Sequence, residues 1–406
     1  MLEAIRCCLT GLLLCVPLNG IAGDLEFDPY GGVRSMKGVA TGAFHLEQFE
    51  GRHCLVTPDG HAFPSLGINH IQAISQKGTP DLFQEKYGRD WRRVSEGVLA
   101  ELRQWGFNTA GYGSPAPLCR RMPYMAASYL EKTSNYLPDS EFFYPDVFDP
   151  KVQEEKRKIL RHLCRDLNNP NLIGYYWTDT PQWDLKRARK KRGTDWVSAL
   201  RGLPDEAPGR KRYEQYVAGC KERGVPPDDE GFLRLIAREH YRVMGEETRR
   251  LHPGALIFGE RYLMRDHPDV VLEEALPHID VLSIQPGGSG FDGPYFDRLH
   301  AKTGKPILLC DHQCSFATPD HPKTMWQQLG SEEAVGKAYA RYLKDALEKP
   351  YIIGYHRCQY IDRFAEHPGV LKQGIIRQDG TSYKTLVRHI REANAEAIQR
   401  FSGNFR

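Results

Sequence analysis

Two aspartates stand where carboxyl chemistry could be done. Asp179, in GYYWTDTPQW, and Asp311, in KPILLCDHQCS, each follow a short apolar run. Two carboxyl groups across one bond can serve as proton donor and as nucleophile or base, which is what glycoside hydrolysis needs. Asp179 would protonate a leaving oxygen, aided by Trp177 and a partly dry cleft that raise its proton affinity. Asp311 would attack the anomeric carbon or, in an inverting variant, activate water. Each aspartate could instead cap a loop or join an ion pair.

Other polar residues also end apolar runs: Asn69 and His70, Asn108 and Tyr112, Glu260 with Arg261, Gln285, His312, His356, Arg357, Gln359 and Asp362. Amides and imidazoles of this kind hold sugar hydroxyls. Rings such as Tyr112, Trp177 and Trp183 stack on the apolar faces of sugars, although core packing accounts for some of them equally well. Glu260 could bind hydroxyls, tune a neighbouring carboxyl or pair with Arg261 in a structural bridge. The histidines show no HxH or HExxH spacing, and Cys310 and Cys314 lack a second CxxC or a histidine pair. No metal and no cofactor is therefore expected.

The elements that must position these residues alternate along the chain. Apolar runs at 62–69, 107–112, 123–127, 172–178, 255–260, 279–285, 306–311 and 351–358 read as eight strands. Amphipathic stretches at 92–104, 151–167, 230–251 and 332–348 read as helices between them. Alternation of this kind predicts an α/β fold, a (β/α)8 barrel, whose active site lies at the C-terminal strand ends. Residues 24–60 read as a β-hairpin cap with a PDG turn, and 61–400 as the catalytic barrel. The longest interruption, 182–250, holds the basic run Lys186–Arg192, read as a solvated helix face or the rim of an anionic-substrate site.

The 406 residues suffice for one such barrel with decorations, and a net charge of +3 is too mild to imply nucleic acid. Arg6, the apolar run Leu9–Leu18 and the small residues Gly20, Ala22 and Gly23 match a secretory signal peptide over 1–23. That predicts a secreted or periplasmic protein, with no stretch long enough to span a membrane. Seven cysteines follow the signal, an odd number that allows one or two bridges rather than a dense framework.

The motifs EGRHCLVTPDGHAFPSLGINHI, GFNTAGYG, NLIGYYWTDTP, ALIFGERY, IDVLSIQ, KPILLCDHQ and YIIGYHRCQYIDR, in that order, resemble the β-agarase family of clan A glycoside hydrolases. The likeness runs from about residue 40 to about 395. It implies an acid/base after the fourth strand and a nucleophile after the seventh, at Asp179 and Asp311, with retention preferred to inversion. Relatives carry glutamate at both places, and the shorter aspartates leave open a non-catalytic carbohydrate-binding protein. The implied partner is a β-linked, galactan-like polysaccharide. Arg357, where relatives carry an aromatic residue, joins Arg261 and Arg363 in suggesting a sulfated or uronic sugar.

Overall fold

The computed structural model of the chain describes residues 25–76, 81–128, 130–364 and 370–403. The expected signal segment, 1–23, lies outside them. Eight parallel strands close into a barrel in chain order: Ser65–Ile68, Thr109–Ala110, Tyr124–Ala127, Leu172–Asp179, Leu256–Leu263, Leu282–Gln285, Ile307–His312 and Ile352–Arg357. The eighth pairs back onto the first, from Gly354 opposite Ser65 to Arg357 opposite Ile68. Each expected apolar run supplies one strand. Helices cover the outer wall, so these strands are buried on both faces, which is why their sequences are almost continuously apolar.

The outer helices start where an acid or hydroxyl can meet their free N–H groups. Asp90, Asp149, Asp228 and Ser331 accept from the first turns of Trp91–Gln104, Pro150–Leu163, Asp229–Leu251 and Glu332–Leu347. The interruption after strand four folds into the helices Leu185–Arg192, Trp196–Arg201 and Pro208–Glu222 before Asp229–Leu251 begins. All seven cysteines among the described residues are buried and free, so none of the bridges that the sequence allowed is formed.

Ahead of the barrel, Val33–Lys37, His45–Phe49, Arg52–Val56 and His61–Phe63 form a four-stranded antiparallel sheet. Phe44, Leu55 and Phe63 cluster with Ile173, Leu256, Val281, Leu308 and Ile353. Those barrel residues lie near the N-terminal starts of their strands. The sheet therefore plugs that end of the barrel and leaves the C-terminal end for the site.

Three strands break the simple in–out alternation as they reach that end. In strand five, Phe258 points into the barrel, so a regular strand would turn Glu260 inward and Arg261 outward. Gly259 intervenes at φ +62°, and the register gains a residue there: Tyr175 faces Ile257, whereas Tyr176 faces Gly259. Arg261 enters the barrel and Glu260 leaves it. Strand four gains a residue between Tyr176 and Asp179, and strand seven between Leu309 and His312. Bulges of this kind re-aim side chains beside functional sites. A Cβ on Gly259 would lie 2.7 Å from Ile279 Cγ2 in a left-handed conformation. Gly259→Ala is expected to cost about 1–3 kcal/mol in urea unfolding, and a stability equal to that of the parent would mean the bulge tolerates a side chain.

Candidate active site

Arg261 fills the centre of the barrel mouth. Its Nη1 lies 3.1 Å from Asp179 Oδ1 and its Nη2 3.1 Å from Asp311 Oδ2. One guanidinium thus joins strand five to the aspartates of strands four and seven. Both aspartates are only 2% exposed and Arg261 is fully buried. Asn69 donates to Asp311 Oδ1 at 2.6 Å and accepts the Tyr112 backbone N–H at 2.8 Å. Gln285 donates to Asp179 Oδ1 at 2.6 Å. The guanidinium sits 4.0 Å from the Tyr112 ring centre, and the His70 ring meets Tyr112 edge-on. Asp179, Asp311, Asn69, His70, Tyr112 and Arg261 are therefore brought together.

The two carboxyls feel opposite pressures. Burial raises the proton affinity of Asp179 by more than Arg261 lowers it, and the charge of Asp311 adds to the rise. Burial acts on Asp311 too, but there Arg261 and His70 outweigh it and hold the group well below the ordinary carboxylate range. His70 itself is pushed down to about 3, first by burial and then by Lys372. A carboxyl whose proton affinity is raised thus faces one whose affinity is lowered, the direction of division that acid/base work requires.

The backbone is strained beside both aspartates. His70 has φ +59° and Thr180, next to Asp179, has φ +44°, a region that residues other than glycine enter only when their surroundings hold them there. Thr180 is fixed by a covering loop: Asn135 N donates to its carbonyl at 2.9 Å, and its hydroxyl meets Ser134 at 3.1 Å. The helix Leu185–Arg192 anchors that loop in turn. Arg192 donates to the Leu137 carbonyl at 2.8 Å and pairs with Asp139, while Lys191 reaches the Asn135 carbonyl. Arg189 pairs with Asp195 and Asp229. The basic run is thus a bracket for the loop, with only part of it solvated.

Sequence reasoning passed over Tyr136, carried by this loop, as well as Trp326 and Lys372. The charges of Asp179 and Asp311 both act on the Tyr136 hydroxyl, and the Lys372 ammonium lies 5.4 Å from the Tyr136 ring and 5.5 Å from the Trp326 ring. None of the three ends a barrel strand, where a barrel fold places its chemistry.

Several expected site residues lie elsewhere. Glu260 points outward and accepts from Trp183 Nε1 at 2.8 Å and Tyr241 at 2.5 Å, with His240 Nε2 at 2.9 Å. The bulge at Gly259 is the reason. Trp177 also faces outward, donating to Thr248 Oγ1 at 3.2 Å. His312 lies behind strand seven, stacked on Tyr342 and bonded to Tyr355 and the Gly288 carbonyl. Arg357 is buried near the Tyr339 ring. Asn108 ties its strand to Pro64 and Leu66. Gln359 donates to the carbonyls of Ile361 and Lys372, both at 2.8 Å. His356 is wholly buried, 2.9 Å from Ser65 Oγ.

His70, Asp311 and Cys358 offer ligand atoms within 4.8 Å of one another. That set fits a cation poorly. Arg261 already holds Asp311, and burial keeps the Cys358 thiol protonated, pushed up to about 12, where metal binding needs a thiolate.

No family model matches the chain. β-Agarase B of Vibrio sp. (strain JT0107) is 18% identical over 327 residues, covering 69% of this chain and 34% of that protein. The chain thus spans about a third of the length of this curated relative. Among solved structures, an exo-β-agarase superposes with a TM-score of 0.79 at 17% identity, over 94% of this chain and 68% of its own. The agarase AgWH50C gives 0.76 at 18%, over 96% and 68%. A β-galacturonidase from Eisenbergiella tayi gives 0.55 at 13%, over 87% and 54%. The chain resembles the β-agarase family and shares its (β/α)8 barrel.

The buried charge triad has a testable sign. Asp311, depressed in the folded state, adds stability above its unfolded pKa of about 3.9 and loses it as pH falls through the folded value. Arg261→Met would strand both carboxylates, costing about 3–5 kcal/mol near neutral pH. The deficit should shrink towards pH 4, where both groups can bury neutral. Urea unfolding at pH 7.5 and 4.5 reads this directly, and a deficit independent of pH would contradict it.

Proposed function

We propose that the chain is a glycoside hydrolase acting on a β-linked, galactan-like polysaccharide, and that it works outside the cytoplasm after losing residues 1–23. The observation that carries this reading is the pair Asp179 and Asp311, which enter from strands four and seven, flank one guanidinium and have proton affinities shifted in opposite directions. The resemblance to agarases in motif order and barrel supports the substrate class. Among the described residues no helix is long and apolar enough to cross a membrane.

In this reading Asp179 gives its proton to the leaving oxygen while Asp311 attacks the anomeric carbon and forms a glycosyl ester. Asp179 then takes a proton from the water that opens the ester. Arg261 holds the charge that appears on Asp179 once its proton has left. It also keeps Asp311 ionised in a dry site. Asn69 and Gln285 fix the two carboxyls by donating to the oxygens Asp311 Oδ1 and Asp179 Oδ1. Both carboxyls contact one guanidinium, and direct attack, with the retention that the family resemblance implies, needs them close together. Of the arginines that suggested an anionic sugar, Arg261 is occupied by the aspartates and Arg357 lies behind the barrel wall.

A non-catalytic sugar-binding barrel is the second reading, favoured by the 2% exposure of both carboxyls and their pairing with Arg261. Cleavage assays separate the two. Asp179→Asn should lower turnover of an agar-type polymer by about 10²–10⁴-fold, and far less with 4-nitrophenyl β-galactoside, whose leaving group needs no proton. Asp311→Asn should abolish both. Product release undiminished in both variants would remove the pair from the chemistry, whereas sugar binding without any cleavage by the parent protein would favour the second reading.

A further inference from the structure

Among the described residues, two cations at the barrel mouth have no counter-ion. The short strands Arg363–Phe364 and Val370–Lys372 pair antiparallel, with Arg363 directly opposite Lys372. Directly opposed residues of such a pair share a face, where like charges repel. Among the described residues neither side chain forms an ion pair or donates a hydrogen bond. Lys372 is nevertheless only 4% exposed, and a lysine so nearly buried normally has an anionic partner.

The surroundings of Lys372 are those of a site rather than of a surface. Its ammonium is flanked by the rings of Tyr136 and Trp326 at 5.4 and 5.5 Å, within the reach of cation–π attraction. The Trp326 indole N–H is itself buried without an acceptor. Lys372 acts electrostatically on Asp179, Asp311 and His70, and Arg363 acts on His70 as well. These unmet donors therefore open onto the same mouth as the two carboxyls. Charge counting points the same way. Even with both aspartates ionised, the mouth holds two negative charges against the three positive charges of Arg261, Lys372 and Arg363.

We infer that Lys372, with Arg363 and the Trp326 indole N–H, forms a subsite for an anionic substituent, a carboxylate or sulfate, on the sugar bound beside Asp179 and Asp311. The inference rests on the sugar-binding mouth proposed above and names the class of sugar it takes. Lys372 supplies a charge at the mouth, Arg363 a planar fork that matches either oxyanion, and the two rings flank the lysine ammonium.

Calorimetric titration of the mature chain with three probes tests it: methyl β-D-galactopyranosiduronate, methyl β-D-galactopyranoside 6-sulfate and neutral methyl β-D-galactopyranoside. At least one anionic probe should bind about tenfold or more tightly than the neutral one, as a charge-assisted contact provides. That preference should weaken as NaCl is added, and the probe that shows it identifies carboxylate or sulfate as the substituent. Lys372→Met should collapse the ratio of anionic to neutral affinity, and Lys372→Arg should restore most of it. Should the methionine variant fail to fold, the ratio and salt dependence of the parent protein still decide. Equal affinity for all three probes, no binding of either anion, or a ratio unchanged in Lys372→Met would overturn the inference. Cleavage of neutral agarose with no anionic preference would overturn it while leaving the hydrolase reading intact. Preference for an anionic probe without cleavage of any polysaccharide would sustain it and defeat hydrolysis.

Discussion

Two carboxylates cannot share a dry barrel mouth without a cation between them, and Arg261 is that cation. Removing a carboxylate or a guanidinium from water is costly, and only close, well-directed pairing offsets it. The partners of the triad follow from this need. Asn69 and Gln285 spend their amide N–H groups on the carboxyl oxygens that carry the charge, and Tyr112 presents its ring to the flat face of the guanidinium. Asymmetry in the pairing then separates the two aspartates. Asp311 has His70 as well as Arg261 beside it, whereas burial prevails at Asp179.

The barrel reaches this arrangement only by departing from its own regularity. A regular strand turns alternate residues inward, and an undisturbed strand five would present Glu260 at the mouth. The left-handed Gly259 exchanges Glu260 for Arg261. Glu260 is then free to join Trp183, His240 and Tyr241 in the outer layer, where the stacked Trp183 and Trp196 rings pack over it. Extra residues in strands four and seven accompany Asp179 and Asp311 at the mouth. Bulges, strained φ angles at His70 and Thr180, and buried charges thus gather at one end of the barrel. The other end is closed by the antiparallel sheet, which presents Phe44, Leu55 and Phe63 to the barrel interior.

The mouth is finished by segments distant in sequence. The basic helix Leu185–Arg192 holds the loop that carries Tyr136, and the pair of short strands 363–364 and 370–372 brings Lys372 up to the same ring. Charge that looked like a solvated face in the sequence is partly structural, and charge that drew no notice there faces the centre. What decides between these roles is the partner each cation finds after folding.

The eight apolar runs, the helices between them and hence the barrel were legible in the sequence, because burial on both faces leaves a pattern within a few consecutive residues. Asp179, Asp311, Asn69, His70, Tyr112 and Arg261 could be named for a similar reason, since a barrel places its chemistry at strand ends and strand ends are local. Glu260, Trp177, His312 and Arg357 were assigned to the mouth on the same ground, and the structure turns them away from it. The direction of a side chain at a strand end depends on whether a bulge precedes it. A bulge is a matter of register with a neighbouring strand, which no single segment records. Tyr136, Trp326 and Lys372 were missed because their nearness to the aspartates arises from loops closing over the barrel. Sequence determined which residues were available for chemistry, and tertiary structure decided which of them meet, because meeting depends on pairing register and on chain segments far apart in sequence.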